Sequence, residues 1–165
     1  MILILLRHGR AVDRDDPKSP PDPERSLTRD GRRRTEAAVR GLARLVPKGA
    51  IIVSSPYRRA RETADIVAAA LGRRAGKVSI TDALLPSAQP ARLVSELASK
   101  KASAVVCCGH APQLDRLAAA LLGAARPLTK LKKAGALVLE VASLKRGRAT
   151  LLALLTPALL RRLGD

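Results

Sequence analysis

The sequence predicts an α/β protein, a three-layer α/β/α sandwich around a mostly parallel sheet. Short unbroken aliphatic runs (ILILL at 2–6, IIV at 51–53, AVV at 104–106) alternate with longer segments whose apolar residues recur at helical spacing. The runs are apolar throughout rather than alternating, the pattern of strands buried on both faces. Neither an internal repeat nor a Pro/Gly/Ser-rich linker divides the 165 residues. A single domain over 1–165, with room for a substantial core, is therefore expected.

Each element has a local reason. Ile2 to Leu6 is long enough for a buried strand and too short for a membrane span. Val12 to Arg25 holds Asp13, Asp15, Asp16, Asp22 and Glu24 among four prolines, and reads as an extended, solvated loop over the strand ends. Thr28 is placed to N-cap a helix running to about Val46, with Val39, Leu42, Ala43 and Val46 on one face. Ile51 to Val53 is the second strand. Ser55 is placed to cap the next helix, with Pro56 at its first position and Ala60, Ala64, Val67 and Leu71 inward, up to Gly72. Val78 to Thr81 is the third strand, and Pro90 opens a helix with Leu93, Val94 and Leu97 inward. Ala104 to Cys107 is the fourth strand, and Pro112 opens a helix with Leu114, Leu117, Leu121 and Leu122 inward. Gly135 to Val141 and Ala149 to Leu155 read as closing strands, before a short helix from Pro157.

Open α/β sheets bind ligands at the C-terminal ends of their strands. Arg7, His8 and Gly9 follow the first strand at once, Arg58 and Arg59 lie just past the second, and His110 lies just past the fourth. Arginine offers a planar fork of donors that fits phosphate oxygens. Histidine can attack phosphorus if a backbone carbonyl holds one ring nitrogen as N–H and leaves the other lone pair free. Glycine lets the backbone turn sharply beside the ring or the ligand. Three strand ends thus each present a group suited to phosphate.

Four motifs, LLRHG at 5–9, SLTRDG at 26–31, SSPYRRARETA at 54–64 and GHAP at 109–112, resemble in order and spacing the histidine phosphatase superfamily, which contains the cofactor-dependent phosphoglycerate mutases. More narrowly, they resemble its small bacterial phosphohistidine phosphatases, over nearly all of the chain. The resemblance implies a phosphoglycerate mutase-like fold and a covalent phosphohistidine at His8. It implies catalytic roles for Arg7 and His110 and, by the pattern S-P-x-x-R-A, for Arg59 rather than Arg58. Neighbouring helix positions point about 100° apart, which supports that split. Gly9, Arg10, Ser55 and Arg58 are the candidate substrate-binding residues. Arg10 departs from the family, which often has an acid there. Glu62 is expected to pair with Arg58 on the surface.

Many family members carry a glutamate in the loop after the third strand. Leu84 to Gln89 has no carboxylate, and Asp82 precedes it. An alkoxide leaves poorly without a proton donor, whereas imidazole leaves neutral. The expected activity is therefore a metal-independent, cofactor-free protein phosphohistidine phosphatase. The alternatives are a small-molecule phosphomonoesterase and a non-catalytic anion- or nucleic-acid-binding module. The substrate is a phosphorylated protein or a small phosphorylated molecule.

Formal charge is +17, which favours anionic partners, yet Tyr57 is the one aromatic residue and offers no base-stacking platform. Specific nucleic-acid binding is not expected. Adjacent Cys107 and Cys108 fit neither a zinc site nor a thiol-phosphatase loop, and read as buried strand residues. The first apolar run has no basic n-region, so a cytoplasmic protein without membrane contact is expected.

Overall fold

The computed structural model describes every residue except Lys101. Among the described residues six strands form one sheet in the order β3-β2-β4-β1-β5-β6. They are β1 (Ile2–Arg7), β2 (Ile51–Ser54), β3 (Val78–Ile80), β4 (Ala104–Gly109), β5 (Ala136–Val141) and β6 (Ala149–Leu155). The pairs β1–β4, β2–β4 and β2–β3 are parallel, and β5 and β6 close one side antiparallel. Five α-helices flank it: α1 (Arg29–Ala43), α2 (Arg58–Leu71), α3 (Pro90–Ala98), α4 (Gln113–Leu121) and α5 (Pro157–Gly164). This is the expected mixed α/β architecture.

The layers follow from β1, whose residues Leu3 to Leu6 are fully buried. Alternate strand residues face opposite sides. Ile4 and Leu6 pack with Val39 and Leu42 of α1, Val67 of α2 and Leu160 of α5. Leu3 and Leu5 pack with Leu93 and Leu97 of α3 and Leu114 and Leu117 of α4. A central strand covered on both faces needs an apolar residue at every position, which is why ILILL does not alternate. Cys107 and Cys108 are free thiols wholly buried in β4.

Two helix boundaries differ from expectation. The Thr28 hydroxyl accepts from the Gly31 N–H as an N-cap, but α1 ends at Ala43 rather than near Val46. There the backbone tightens to three-residue bonds, Arg44 N–H to Gly41 O and Leu45 N–H to Leu42 O. Helix α2 starts at Arg58 with Tyr57 at the N-cap position, so Ser55 does not cap it and Pro56 is not its first residue. Ser55 instead extends the strand pairing, its N–H donating to Cys108 O at 3.0 Å.

The parallel register sets the ends of the three central strands side by side. Arg7 pairs with Gly109, and Ser54 with Cys108. His8 N–H then donates to Gly109 O at 3.0 Å. His8, Ser55 and His110 are consequently brought together at one end of the sheet.

Candidate active site

His8 is 7% exposed, and its Nδ1 lies 2.7 Å from Gly9 O. A carbonyl oxygen only accepts, so Nδ1 carries the hydrogen and Nε2 keeps its lone pair. The Nε–H of Arg59 donates to that Nε2 at 3.3 Å, consistent with the same tautomer. Burial pushes the His8 pKa well below the usual histidine range, and His110, Arg59 and Arg7 push it further. The Gly9 bond acts the other way and is outweighed. The ring is neutral at physiological pH.

Gly9 holds this geometry in place. Its N–H donates to Thr63 Oγ1 at 3.2 Å, while the Thr63 hydroxyl donates to Arg59 O at 2.7 Å. A Cβ on Gly9 would lie 2.1 Å from Thr35 Oγ1. Here the glycine is required by a close approach and not by a left-handed backbone.

The His110 ring lies 5.0 Å from the His8 ring, centroid to centroid. Its Nε2 is 2.9 Å from Ser55 Oγ, and Ser55 Oγ also accepts from Tyr57 N–H at 3.3 Å. With one lone pair so used, the Ser55 hydroxyl hydrogen is free to point at His110 Nε2. Nδ1 of His110 is buried and has no hydrogen-bond partner among the described residues. Burial, then Arg59, lowers the His110 pKa to about 3. Tyr57 stands edge-on to His110 at 5.2 Å and under the Arg59 guanidinium at 4.9 Å.

Arg7 and Arg59 are both anchored. Arg59 is 2% exposed at the first turn of α2. Its Nη1 donates to Asp22 O at 2.6 Å and its Nη2 to Asp22 Oδ2 at 3.2 Å. Arg7 Nη1 donates to Leu131 O at 2.7 Å. Leu131 N–H and the Thr129 hydroxyl in turn donate to Asp115 Oδ1, at 3.0 and 2.8 Å. Asp115, a buried carboxylate on α4, thus fixes the segment that holds Arg7.

The remaining predicted residues separate. Arg10 is exposed and lines a cavity of about 540 Å³ together with His8, Arg59 and His110. Arg58 is not brought to that cavity. It is exposed and bonds Glu62 Oε1 at 3.0 Å, because successive helix positions diverge. Glu62 is more than a surface partner: its Oε2 also accepts from Leu27 N–H at 2.7 Å and pins the segment before α1. The 12–25 loop is not simply solvated either, since Asp22 reaches inward to Arg59 and also pairs with Arg25 and Arg14. Only Pro86 of the stretch Leu84 to Gln89 lines the cavity. Asp82 lies outside it, 4.0 Å from Arg92, and the carboxylate among its lining residues is Asp13.

Sequence reasoning missed Asp22, Arg25 and Asp115. The crowding of carboxylates between Asp13 and Glu24 in so basic a chain was the one signal for the first of these.

The comparisons with known proteins bear on this geometry. Residues 3–85 match the family model of the histidine phosphatase superfamily, branch 1. An uncharacterised protein of Picosynechococcus sp. is 35% identical over 140 residues, 82% of either chain. The chain belongs to the histidine phosphatase superfamily. It is accordingly a phosphatase. Among solved structures of histidine phosphatases, the protein histidine phosphatase SixA complexed with tungstate superposes with a TM-score of 0.83 at 19% identity, over 96% of this chain and 98% of that one. A Nakamurella multipartitia protein described as a candidate phosphohistidine phosphatase SixA gives 0.74 at 27% identity, over 94% and 95%. A mycobacterial glucosyl-3-phosphoglycerate phosphatase gives 0.73 at 21% identity, over 94% and 98%. No helix among the described residues is long and apolar enough to cross a membrane.

Proposed function

We propose that this phosphatase hydrolyses phosphohistidine in proteins, through a phosphoryl group carried on His8 and without a metal. The observation that carries the mechanism is the neutral His8 ring, its hydrogen held on Nδ1 by Gly9 O and its Nε2 lone pair beside Arg59. Nε2 attacks phosphorus as the N–P bond to the substrate ring breaks, and that ring, carrying a hydrogen on its other nitrogen, leaves as neutral imidazole. Arg7 and Arg59 balance charge on the phosphoryl oxygens. With Ser55 donating to His110 Nε2, the Nδ1–H of His110 supplies a further donor. Water then attacks phosphorus, the bond to Nε2 breaks, and inorganic phosphate departs.

The choice of leaving group rests on the cavity walls. Leu84 to Gln89 contributes Pro86 and no carboxylate. A phosphohistidine tolerates that absence, and an alkyl ester does not. The likeness to SixA supports the same choice. One observation favours a second reading, a small-molecule phosphomonoesterase: Asp13 lines the cavity and is the carboxyl group there to propose as proton donor to an alkoxide. The deciding measurement is kcat/KM for a phosphohistidine protein, an aryl phosphate and an alkyl phosphate, side by side, with rapid acid quench for an adduct. The reading expects an acid-labile phosphoryl adduct on the wild type, none on His8→Ala, and the phosphohistidine protein as the best substrate. Turnover by His8→Ala would overturn the mechanism, and preference for the alkyl ester would overturn the substrate.

A further inference from the structure

A second cavity adjoins the His8 pocket and shares Arg7, Arg10 and Lys133 with it. Its volume is about 850 Å³, at the upper end of ordinary ligand pockets of about 300–1,000 Å³. Helix α1, the start of α5 and the segment 130–134 before β5 form its walls. Beyond the shared cations it is lined by Arg34, Lys130, Lys132 and Arg161, with no carboxylate among its lining residues. Arg34 is paired with Asp30 at 2.7 Å. Among the described residues Arg10, Lys130, Lys132, Lys133 and Arg161 make no ion pair. So many unneutralised cations around one concave surface concentrate positive potential there. The crowding is felt at Lys133, whose ammonium pKa is lowered by burial and then by Arg7 and Arg10.

We propose that this cleft binds an acidic segment of the phosphorylated protein, next to the phosphohistidine presented to His8; this rests on the reading of a protein substrate. Charge sets the class of ligand, and the floor narrows it. Leu131, Ala134, Pro157 and Ala158 give the cleft an apolar base, which suits the aliphatic stems and side chains of a peptide. A polyphosphate chain would leave that base uncovered. Nucleic acid would lack its stacking partner, because Tyr57 packs against His110 and is not part of the cleft. The loop bearing Asp13, Asp15 and Asp16 contributes nothing to the cleft either, so the acidic segment is drawn to one side of the site.

The test uses the full chain and its double variant Lys132→Ala/Arg161→Ala, neither residue being part of the His8 pocket. Binding of a fluorescent Glu/Leu-rich peptide is followed by anisotropy, with tripolyphosphate and duplex DNA as competitors. The variant is expected to bind the peptide about tenfold more weakly, the size of two modest ion pairs. It should hydrolyse an aryl phosphate at the wild-type rate, and a phosphohistidine protein with KM raised by a similar factor and kcat unchanged. Equal peptide affinity in variant and wild type overturns the proposal, as does tighter capture of DNA or tripolyphosphate than of the peptide. If the wild type binds the peptide as described but cleaves no phosphohistidine protein, the proposed substrate falls and the acidic-segment cleft stands. Charge reversal at the same positions, Lys132→Glu/Arg161→Glu, should abolish peptide binding, and retention of binding overturns the assignment.

Discussion

Asp22 occupies both terminal nitrogens of Arg59, one with its carboxylate and one with its main-chain carbonyl. Burial raises the Asp22 pKa, but Arg25, Arg59 and Arg14 more than offset this and leave it at about 2. The carboxylate is therefore a resident anion at the proposed phosphoryl site.

Removing it should help an oxyanion compete. Asp22→Ala keeps the carbonyl contact and frees Nη2. The carboxylate is partly exposed, so the pair is screened and its contribution small. The inhibition constant for vanadate or tungstate is expected to fall by about two- to fivefold. Weaker inhibition would show that Asp22 positions Arg59 instead of competing at it.

Alkyl esters should be poor substrates. A placed general acid contributes ~10²–10⁴-fold, and an alkyl phosphate should fall behind an aryl phosphate by something of that order. Asp13→Asn should leave turnover of a phosphohistidine protein unchanged. If the alkyl ester is hydrolysed as fast as the aryl ester in the wild type and not in Asp13→Asn, Asp13 is the acid and the enzyme is a phosphomonoesterase.

Gly9→Ala tests the turn beside His8. Its methyl would collide with Thr35 Oγ1, whose hydrogen goes to Gly31 O at 2.7 Å. Relief requires the turn to shift, at about 1–3 kcal/mol of stability by denaturant titration. It also moves the Gly9 carbonyl that orients His8, so kcat should fall. Gly9→Ala/Thr35→Ala removes the colliding oxygen and should recover much of both losses. No recovery in the double variant would place the cause elsewhere.

The histidines make stability depend on pH. Both have lower pKa values folded than unfolded, so between the two values the unfolded chain holds more protons and stability rises with pH. For His110 the window runs from about 3 to the ordinary 6.5. Below 3.8 the lowered Asp22 pKa adds a loss of the same sign. From neutral pH to about pH 4 the unfolding free energy from urea titration should drop by a few kcal/mol in order of magnitude. The slope should flatten in His110→Asn, and an unaltered slope would contradict the buried, neutral assignment.

Chelators should leave the rate unchanged. Among the described residues no group of three or more His, Cys, Asp or Glu is placed to hold a metal ion. Loss of activity in EDTA, restored by magnesium or zinc, would refute the mechanism. Thiol reagents should also be without effect on the folded enzyme, because burial pushes both cysteines up, Cys107 to about 12.

The central strands and most helices were legible in the sequence because burial on two faces leaves an unbroken aliphatic signature, as in β1 and β4. The cluster of groups suited to phosphate was legible because Arg7, His8 and Gly9 are consecutive at a strand end. Asp22 was not, since the loop from Val12 to Arg25 has no period, and its partner Arg59 lies in another element. Ser55 was misread as a cap for a related reason. The helix needed two more residues to begin, and the contact with His110 depends on strand register. Asp115 looked like one more polar position on α4, and only the fold brings Thr129 and Leu131 to it.

Register has a thermodynamic consequence. Strand β1 pairs with β4 from Ile2 opposite Ala104 to Arg7 opposite Gly109, and β4 pairs in turn with β2. The proposed phosphoryl site draws on the ends of all three strands. An oxyanion there would act as a rivet through segments far apart in the chain, and unfolding would have to release it. Ligand at a hundred times its dissociation constant would add about 2.7 kcal/mol. The melting temperature of this protein should then report the occupancy of its site, and inorganic phosphate, the product, would be a stabiliser of the enzyme that makes it.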